Sequence, residues 1–475
     1  MFNKNVRMFS KNDYVCLYNI ITMNTIYLKQ STLTNKEKTK ELISKMPQDF
    51  LKGTNHYEQI QESIKPFLLP KLKTLFMIIN ETCNLFCKYC RYIQKLPKNH
   101  VGTVMDKTIG KGIIEKFLSG DNTGIERKSI VIFGTEILQH PDLVESLAKC
   151  VREFDAKNNV NTELTMFTNG VLINNKVIKI IKENSIVTII SIDGPKEIHD
   201  QARIYRSGKG SYEIVKKNCD LLRENGIRFG ISTAVGEHNI DALPDIIEHF
   251  VKEFNPINIG LNPMEINKDA PKDIFYTKFM RQSLKAFEIA RNYGVSLPQV
   301  MRRIRPFVER RQRIKECPTC GGSLRVYPNG RIGTCSHFVA NDEYCIPYKT
   351  YVEDGISKNK IIRQWSLRTQ FNFPKCSECE AISLCGGGCV YNAFLQNNDI
   401  MSPDHRVCSH SKYGLEWCIW KLFDDIVGKK ILEISDIIVP DIEMRRALYG
   451  KIDEVNNVLP LQEYNSFGEV SLNIG

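Results

Sequence analysis

Cys83, Cys87 and Cys90, spaced C-x3-C-x2-C, are the first residues whose types and spacing suit redox chemistry. They follow directly on an apolar, strand-like run from Leu75 to Ile79. Three close thiolates suit an iron–sulfur cluster in which one iron keeps no protein ligand. A structural zinc would want a fourth cysteine or histidine, and none stands in this loop. Disulfides cannot pair three cysteines. A larger group lies towards the C-terminus: Cys317, Cys320 and Cys335, then Cys376, Cys379, Cys385 and Cys389 spaced C-x2-C-x5-C-x3-C, then Cys408. Such pairs are ligand spacing for zinc as well as iron. Gly386, Gly387 and Gly388 let the chain wrap close to a cluster, where side chains would collide.

These eleven cysteines belong to a chain of 475 residues with 16 in all. Clustered cysteines in an intracellular chain point to metal rather than disulfides. Cys16, Cys150, Cys219, Cys345 and Cys418 stand apart and read as small buried hydrophobes. The length allows two or three domains. With 42% hydrophobic and 25% charged residues, the composition is that of a globular protein. No apolar run reaches membrane-spanning length, and the polar N-terminus lacks a signal-peptide core, so a cytoplasmic location is expected. The net charge is +11. Arg302, Arg303, Arg305, Arg310, Arg311 and Arg313 contribute to it, and the expectation is a solvated helix face rather than a nucleic-acid patch. A surface attracting an acidic peptide is a third reading.

The elements that must position these groups can be read in outline. Asp13 to Leu28 is β-branched and aromatic and suggests a hairpin, followed by a helix capped near Thr34 with Leu42, Ile43 and Met46 on one side. From about 71 to 296, strands at Leu75–Ile79, Ser129–Phe133, Leu164–Thr168, Val187–Ser191, Arg228–Thr233 and Ile257–Leu261 alternate with amphipathic helices such as Pro141–Ala156 and Ser211–Glu224. This alternation implies an α/β fold with a parallel sheet, and six strands suggest a partial (βα)6 barrel with chemistry at the carboxyl ends of the strands. Cysteine and glycine dominate 317–408, and a helix carrying Leu415, Ile419, Leu422, Phe423 and Ile426 closes that region. A helical fragment at Asp441–Leu448 precedes a polar tail, expected to be partly mobile. The expected division is an N-terminal extension (1–70), the core (71–296), the cysteine-rich domain (297–425) and the tail (426–475).

With Tyr89 before the last cysteine and a strand before the first, the loop resembles the radical S-adenosylmethionine (radical SAM) enzymes. After the second strand, Phe133-Gly134-Thr135-Glu136 stands where that family usually has Gly-Gly-Glu near the SAM amino group. The resemblance thus assigns Gly134 and Glu136 to SAM. Thr135 departs from it, and a positive φ there would cost a threonine what it spares a glycine. Thr168-Asn169-Gly170 is a further family signature. Ser191-Ile192-Asp193-Gly194-Pro195 with Arg203 resembles enzymes related to anaerobic sulfatase maturases, in which the matching serine and arginine contact SAM; an arginine fork suits a carboxylate. The C-terminal array resembles the SPASM domain, cysteine by cysteine. That resemblance implies two auxiliary 4Fe–4S clusters, one on Cys320, Cys335 and Cys389 with Cys317 as fourth ligand, the other on Cys376, Cys379, Cys385 and Cys408. With the SAM-binding cluster this makes three.

The resemblance implies an enzyme that cleaves SAM to a 5′-deoxyadenosyl radical and abstracts hydrogen from a ribosomally synthesised precursor peptide, installing a cross-link or other oxidation. An external flavodoxin- or ferredoxin-like donor would supply electrons, with no nucleic-acid or membrane partner. The N-terminal extension either recognises a leader segment or covers one end of the core. Sulfatase-maturase-like oxidation of a serine or cysteine is the alternative. However, Ser336 and His337 follow Cys335 where such maturases carry a basic aspartate, which leaves His337 as the candidate base. A zinc-stabilised binding protein is the non-enzymatic reading.

Overall fold

The computed structural model describes residues 2–51, 56–90, 102–120, 125, 127–264, 272–338, 344–354, 360–428, 437–452 and 469–471. Its centre is a sheet whose strands β4 (Thr74–Ile78), β5 (Ser129–Phe133), β6 (Glu163–Thr168), β7 (Val187–Ser191), β8 (Phe229–Val235) and β9 (Ile259–Pro263) are parallel and neighbour one another in chain order. Each stands within two residues of its expected bounds. Crossover helices cover the outer face. Asp106 caps Lys107–Leu118 by accepting from the amides of Thr108 and Ile109, and Asn174 caps Asn175–Glu183 through Val177. Their apolar stripes, such as Ile113, Ile114 and Phe117, are buried against the strands.

The sheet does not stop at six strands. β11 (Ser323–Val326) adds to the β4 edge in parallel, Ser323 opposite Thr74, and β12 (Ile332–Gly333) and β13 (Cys345–Ile346) extend it antiparallel to nine. The cysteine-rich region is therefore grafted onto the barrel's own sheet. Periodicity could not reveal this, because two-residue strands carry no pattern. Cys320 precedes β11 by three residues, and β11 starts opposite Thr74 at the amino-terminal end of β4, away from the end that carries the Cys83 loop.

The N-terminal extension holds one strand more than the expected hairpin. β1 (Val6–Lys11) pairs antiparallel with β2 (Tyr14–Asn19), which pairs with β3 (Thr25–Lys29). The following helix begins at Lys36, capped by Asn35 rather than Thr34. From the tail, β14 (Ile437–Ile438) pairs with β3, and β15 (Glu469–Ser471) pairs with β10 (Arg311–Arg313). Extension and tail thus share a sheet. Arg445 locks them to the rest: fully buried, it donates to Thr25 Oγ1 and to the Phe307 carbonyl at 2.8 Å each. Most of the polar tail lies outside the described residues.

The arginine cluster is only in part a solvated face: Arg310 is exposed and Arg302, Arg305 and Arg311 are half-buried, but two of its members turn inward. Arg303 and Arg313 are 1% and 2% exposed and converge on Glu316. Arg303 grips both carboxylate oxygens at 2.9 Å, and Arg313 adds Nε at 3.3 Å. Burial pushes the Glu316 carboxyl up, but the two guanidinium charges outweigh it and hold it well below the usual range. The helix Arg406–Gly428 buries Leu415, Ile419, Leu422, Phe423 and Ile426 as expected, with Trp417 edge-on to Phe287 at 6.2 Å. Cys16, Cys150, Cys219, Cys345 and Cys418 are all buried. Among the described residues no helix is long and apolar enough to cross a membrane.

Candidate active site and cysteine centres

The Cys83–Cys90 loop sits at the carboxyl edge of β4, where its backbone is pinned from two sides. Buried Asn80 donates through Nδ2 to the carbonyls of Thr82 (3.1 Å) and Glu136 (2.8 Å), tying the loop to the turn after β5. From the other side, the Phe86 and Lys88 amides donate to the carbonyls of Ile204 (2.6 Å) and Ala202 (3.0 Å), the residues flanking Arg203. Asn169 Nδ2 donates to Cys83 Sγ at 3.7 Å and to Asn84 Oδ1 at 2.8 Å. The three cysteines are partly exposed. Burial pushes the Cys83 thiol up to about 12, and the neighbouring charges of Cys87 and Cys90 add to this. A cluster would therefore displace protons as it binds.

Glu136 is 1% exposed, and its oxygens already accept from Leu138 N (2.9 Å), Thr168 Oγ1 (2.8 Å) and Asn169 N (2.6 Å). Burial raises its carboxyl above the usual value despite these bonds. A carboxylate has about four acceptor directions, so one remains for an amino group. Gly134 cannot carry a side chain, since a Cβ would stand 2.3 Å from Asn80 Oδ1. Thr135 needs no left-handed backbone: it is not among the positive-φ residues, and its amide and hydroxyl both donate to the Asn80 carbonyl. The departure from glycine is thus accommodated.

Ser191 ends β7, and Arg203 follows the helix Lys196–Ala202. Arg203 is held rather than loose. Its Nε donates to Asp193 Oδ2 at 2.9 Å, its guanidinium lies 5.6 Å from the Tyr89 ring centre, and Tyr89 Oη donates to the same Asp193 oxygen at 2.5 Å. Asp193 is wholly buried. Burial raises its carboxyl, but Arg203's charge and the two hydrogen bonds outweigh this and hold it below the usual value. Behind them, His199 faces Ser211 Oγ at 3.0 Å, and that hydroxyl donates to the Arg203 carbonyl. His238 stacks on Tyr89 at 6.0 Å. Asp193, Asn80, Asn169 and His199 were not singled out as site residues in the sequence. All four lie inside the stretches that carry the resemblance, Asn80 three residues before Cys83 and His199 four before Arg203.

The C-terminal cysteines fall into two groups of four by mutual influence. Beyond burial, Cys335 is raised by Cys317 and Cys320, and Cys389 by Cys335 and Cys317. Likewise Cys408 is raised by Cys385, Cys379 and Cys376. The interleaved order of the resemblance implies the same division. Among the described residues no three cysteine, histidine or acidic side chains converge on a single-ion site. Buried polar atoms without a partner among the described residues flank both sets: Thr334 Oγ1 beside Cys335, His410 Nε2 beside Cys408, Arg303 Nε and Arg368 Nη1. Such orphaned groups fit sulfur acceptors, so the donor sets fit clusters. The three glycines adopt φ of +73°, +81° and +77°, and their close neighbours are the Glu316 backbone, Arg368 and Asp404. Side chains are excluded there by protein. His337 is exposed and stacks on Tyr391 with ring centres 4.6 Å apart.

Inside the barrel is a cavity of about 180 Å³. Its lining runs from Ser129, Glu163 and Asn258 at the amino-terminal ends of the strands to Phe167, Ser232 and Asn262 at the carboxyl ends. His337 does not line it.

Four comparisons bear on this arrangement. The model of the radical SAM superfamily matches residues 77–250. The radical SAM cyclopropyl synthase TigE of Paramaledivibacter caminithermalis is 23% identical, covering 71% of this chain and 72% of its own. The cysteine-type anaerobic sulfatase-maturating enzyme of Clostridium novyi is 26% identical, covering 68% and 89%. The solved structure of native anSMEcpe with bound AdoMet and Kp18Cys peptide superimposes with a TM-score of 0.62 at 20% identity, covering 75% of this chain and 99% of the other.

Proposed function

We propose, from the premise that this chain is a radical SAM enzyme, that its substrate is a ribosomally synthesised peptide in which it installs a cross-link or comparable oxidation. Cys83, Cys87 and Cys90 would hold a 4Fe–4S cluster. When bound, it would supply the electron for reductive cleavage of SAM, and with it the means of abstracting hydrogen from the peptide. An external donor of the flavodoxin or ferredoxin class replaces the electron. Cys317, Cys320, Cys335 and Cys389 would hold one auxiliary cluster, and Cys376, Cys379, Cys385 and Cys408 the other.

The chain's own side chains bind and orient. Arg203, steered by Asp193 and Tyr89, offers its fork to the methionine carboxylate. Glu136 keeps one acceptor direction for the amino group beside Gly134, and Ser191 stands on the same edge. Asn80 and Asn169 hold the cysteine loop in register, and Asn169 also donates to a ligand sulfur. The observation that carries the reading is the cavity. It lies along the inner face of the parallel strands whose carboxyl edge carries the Cys83 loop, with Phe76, Phe167, Ser232 and Asn262 in its lining. Its lining, apolar at Phe76, Val131, Phe167, Ile189 and Ile231 with polar groups at Ser232 and Asn262, suits a peptide side chain. The anSMEcpe structure, with AdoMet and a peptide bound together, supports a peptide occupant.

Anaerobic purification followed by iron and sulfide analysis tests the cofactor half. The wild type should carry about twelve irons and the Cys83/Cys87/Cys90 triple alanine variant about eight, at four per cluster. Only the wild type should form 5′-deoxyadenosine under reduction. A zinc-loaded, colourless protein would return the chain to a binding role. Mass spectrometry of short peptides encoded beside the gene tests the substrate half, with loss of a hydrogen pair as the expected product. The likeness to the Clostridium novyi enzyme favours a second reading, oxidation of a serine or cysteine in a sulfatase. Conversion of a sulfatase-type peptide, with no change in the neighbouring ones, would establish it instead.

A further inference from the structure

Arg368 is among the largest fully buried side chains of the protein, 1% exposed, and lies outside every motif singled out above. No carboxylate is recorded beside it among the described residues. Three carbonyls hold it: Nε donates to Ile400 at 2.8 Å, and Nη2 donates to Gly387 at 2.9 Å and Ser402 at 2.7 Å. The face of Phe373 lies 5.1 Å away. Nη1 is buried and has no partner among the described residues. All four contacts belong to segments carrying cysteines. Gly387 sits between Cys385 and Cys389, ligands of different sets, Phe373 stands three residues before Cys376, and Ile400 and Ser402 precede Cys408. The left-handed Gly387 matters here, because a Cβ would stand 3.0 Å from Nη1.

We propose that Arg368 is a positioning residue shared by both auxiliary cluster sites, a single buried positive charge that raises the reduction potential of the two together. The proposal rests on the reading that the eight cysteines hold two clusters. Four thiolates around a 4Fe–4S core leave a net negative charge that grows on reduction, so a buried cation favours the reduced form; net charge and hydrogen bonds to sulfur are levers on the potential. Lys315, whose Nζ donates to the Phe67 carbonyl, stands two residues before Cys317 of the first set. Arg303 is committed to Glu316 and donates to the Leu384 carbonyl, next to Cys385 of the second. Arg368 instead donates to Gly387, in the link between Cys385 of the second set and Cys389 of the first, and faces Phe373 ahead of Cys376.

The experiment is redox titration followed by electron paramagnetic resonance in the full-length Cys83/Cys87/Cys90 triple alanine protein, which leaves only the auxiliary clusters to report. Arg368→Gln should keep its iron and move both midpoint potentials to more negative values. Lys315→Gln should move one alone, and Arg368→Lys should keep both near the parent. An Arg368→Gln protein with full iron and unmoved potentials, or with only one moved, overturns the proposal. Should Arg368→Gln shed iron, Arg368→Lys decides: iron and both potentials retained supports the shared charge. Iron lost, or potentials shifted, in Arg368→Lys reduces Arg368 to a tie for three carbonyls. A parent protein without iron would instead sink the cluster reading itself.

Discussion

His199 makes the folding of the SAM edge depend on pH, and the size of the effect follows from its surroundings. The ring is wholly buried, between the Asp193 amide at 3.4 Å and Ser211 Oγ at 3.0 Å. With Nδ1 accepting from that amide, Nε2 carries the proton, so the neutral ring is already satisfied. A second proton has no acceptor waiting. Burial, reinforced by the Arg203 charge and opposed by Asp193, lowers its titration from 6.5 to about 4. The folded state therefore resists a proton that the unfolded state takes up near 6.5. The associated stability is complete above that pH and is lost as pH falls towards 4, about 3 kcal/mol in all. Between about pH 7.5 and 5.5 the loss from this residue alone is about 1.4 kcal/mol. Other buried histidines add to the wild-type slope, His410 among them. The test is therefore a difference: anaerobic urea unfolding of wild type and His199→Gln at both pH values, followed by circular dichroism. The glutamine variant should lose about 1.4 kcal/mol less than the wild type on acidification. Parallel losses in the two proteins would refute a neutral, buried His199.

Asp193→Asn removes the counter-charge from a guanidinium whose side chain is 11% exposed, and breaking such a pair costs roughly 3–5 kcal/mol. With Arg203 no longer steered, SAM affinity measured by equilibrium dialysis should weaken about tenfold, or 1.4 kcal/mol, and unchanged affinity would remove Arg203 from the SAM site. Gly388→Ala places a Cβ 2.5 Å from that of Asp404 at φ +77°, so left-handed strain of about 1–2 kcal/mol and overpacking should combine to lower auxiliary iron content through Cys389. Gly208→Ala, at φ +85° with nothing within 4 Å, carries the strain alone and should leave iron content intact.

Much of this protein was legible without coordinates. The cysteine spacings marked the candidate ligands, because a metal centre needs particular donors within a short reach of chain. The six central strands were legible because each is a short apolar run bounded by amphipathic helices, a pattern that burial on both faces imposes. Ser191, Asp193 and Arg203 shared one motif. The tertiary structure alone decided what joins these pieces. That β11 completes the β4 edge, that β14 from the tail closes the N-terminal sheet, and that Arg303 and Arg313 turn inward onto Glu316 are pairings between distant segments, for which local periodicity carries no information. Arg368 is the sharpest case. In the sequence it is one arginine among many, and only the carbonyls that converge on it reveal a buried charge between two cysteine centres. Spacing along the chain fixes which atoms can bind a metal, whereas the charge that surrounds the metal is set by folding.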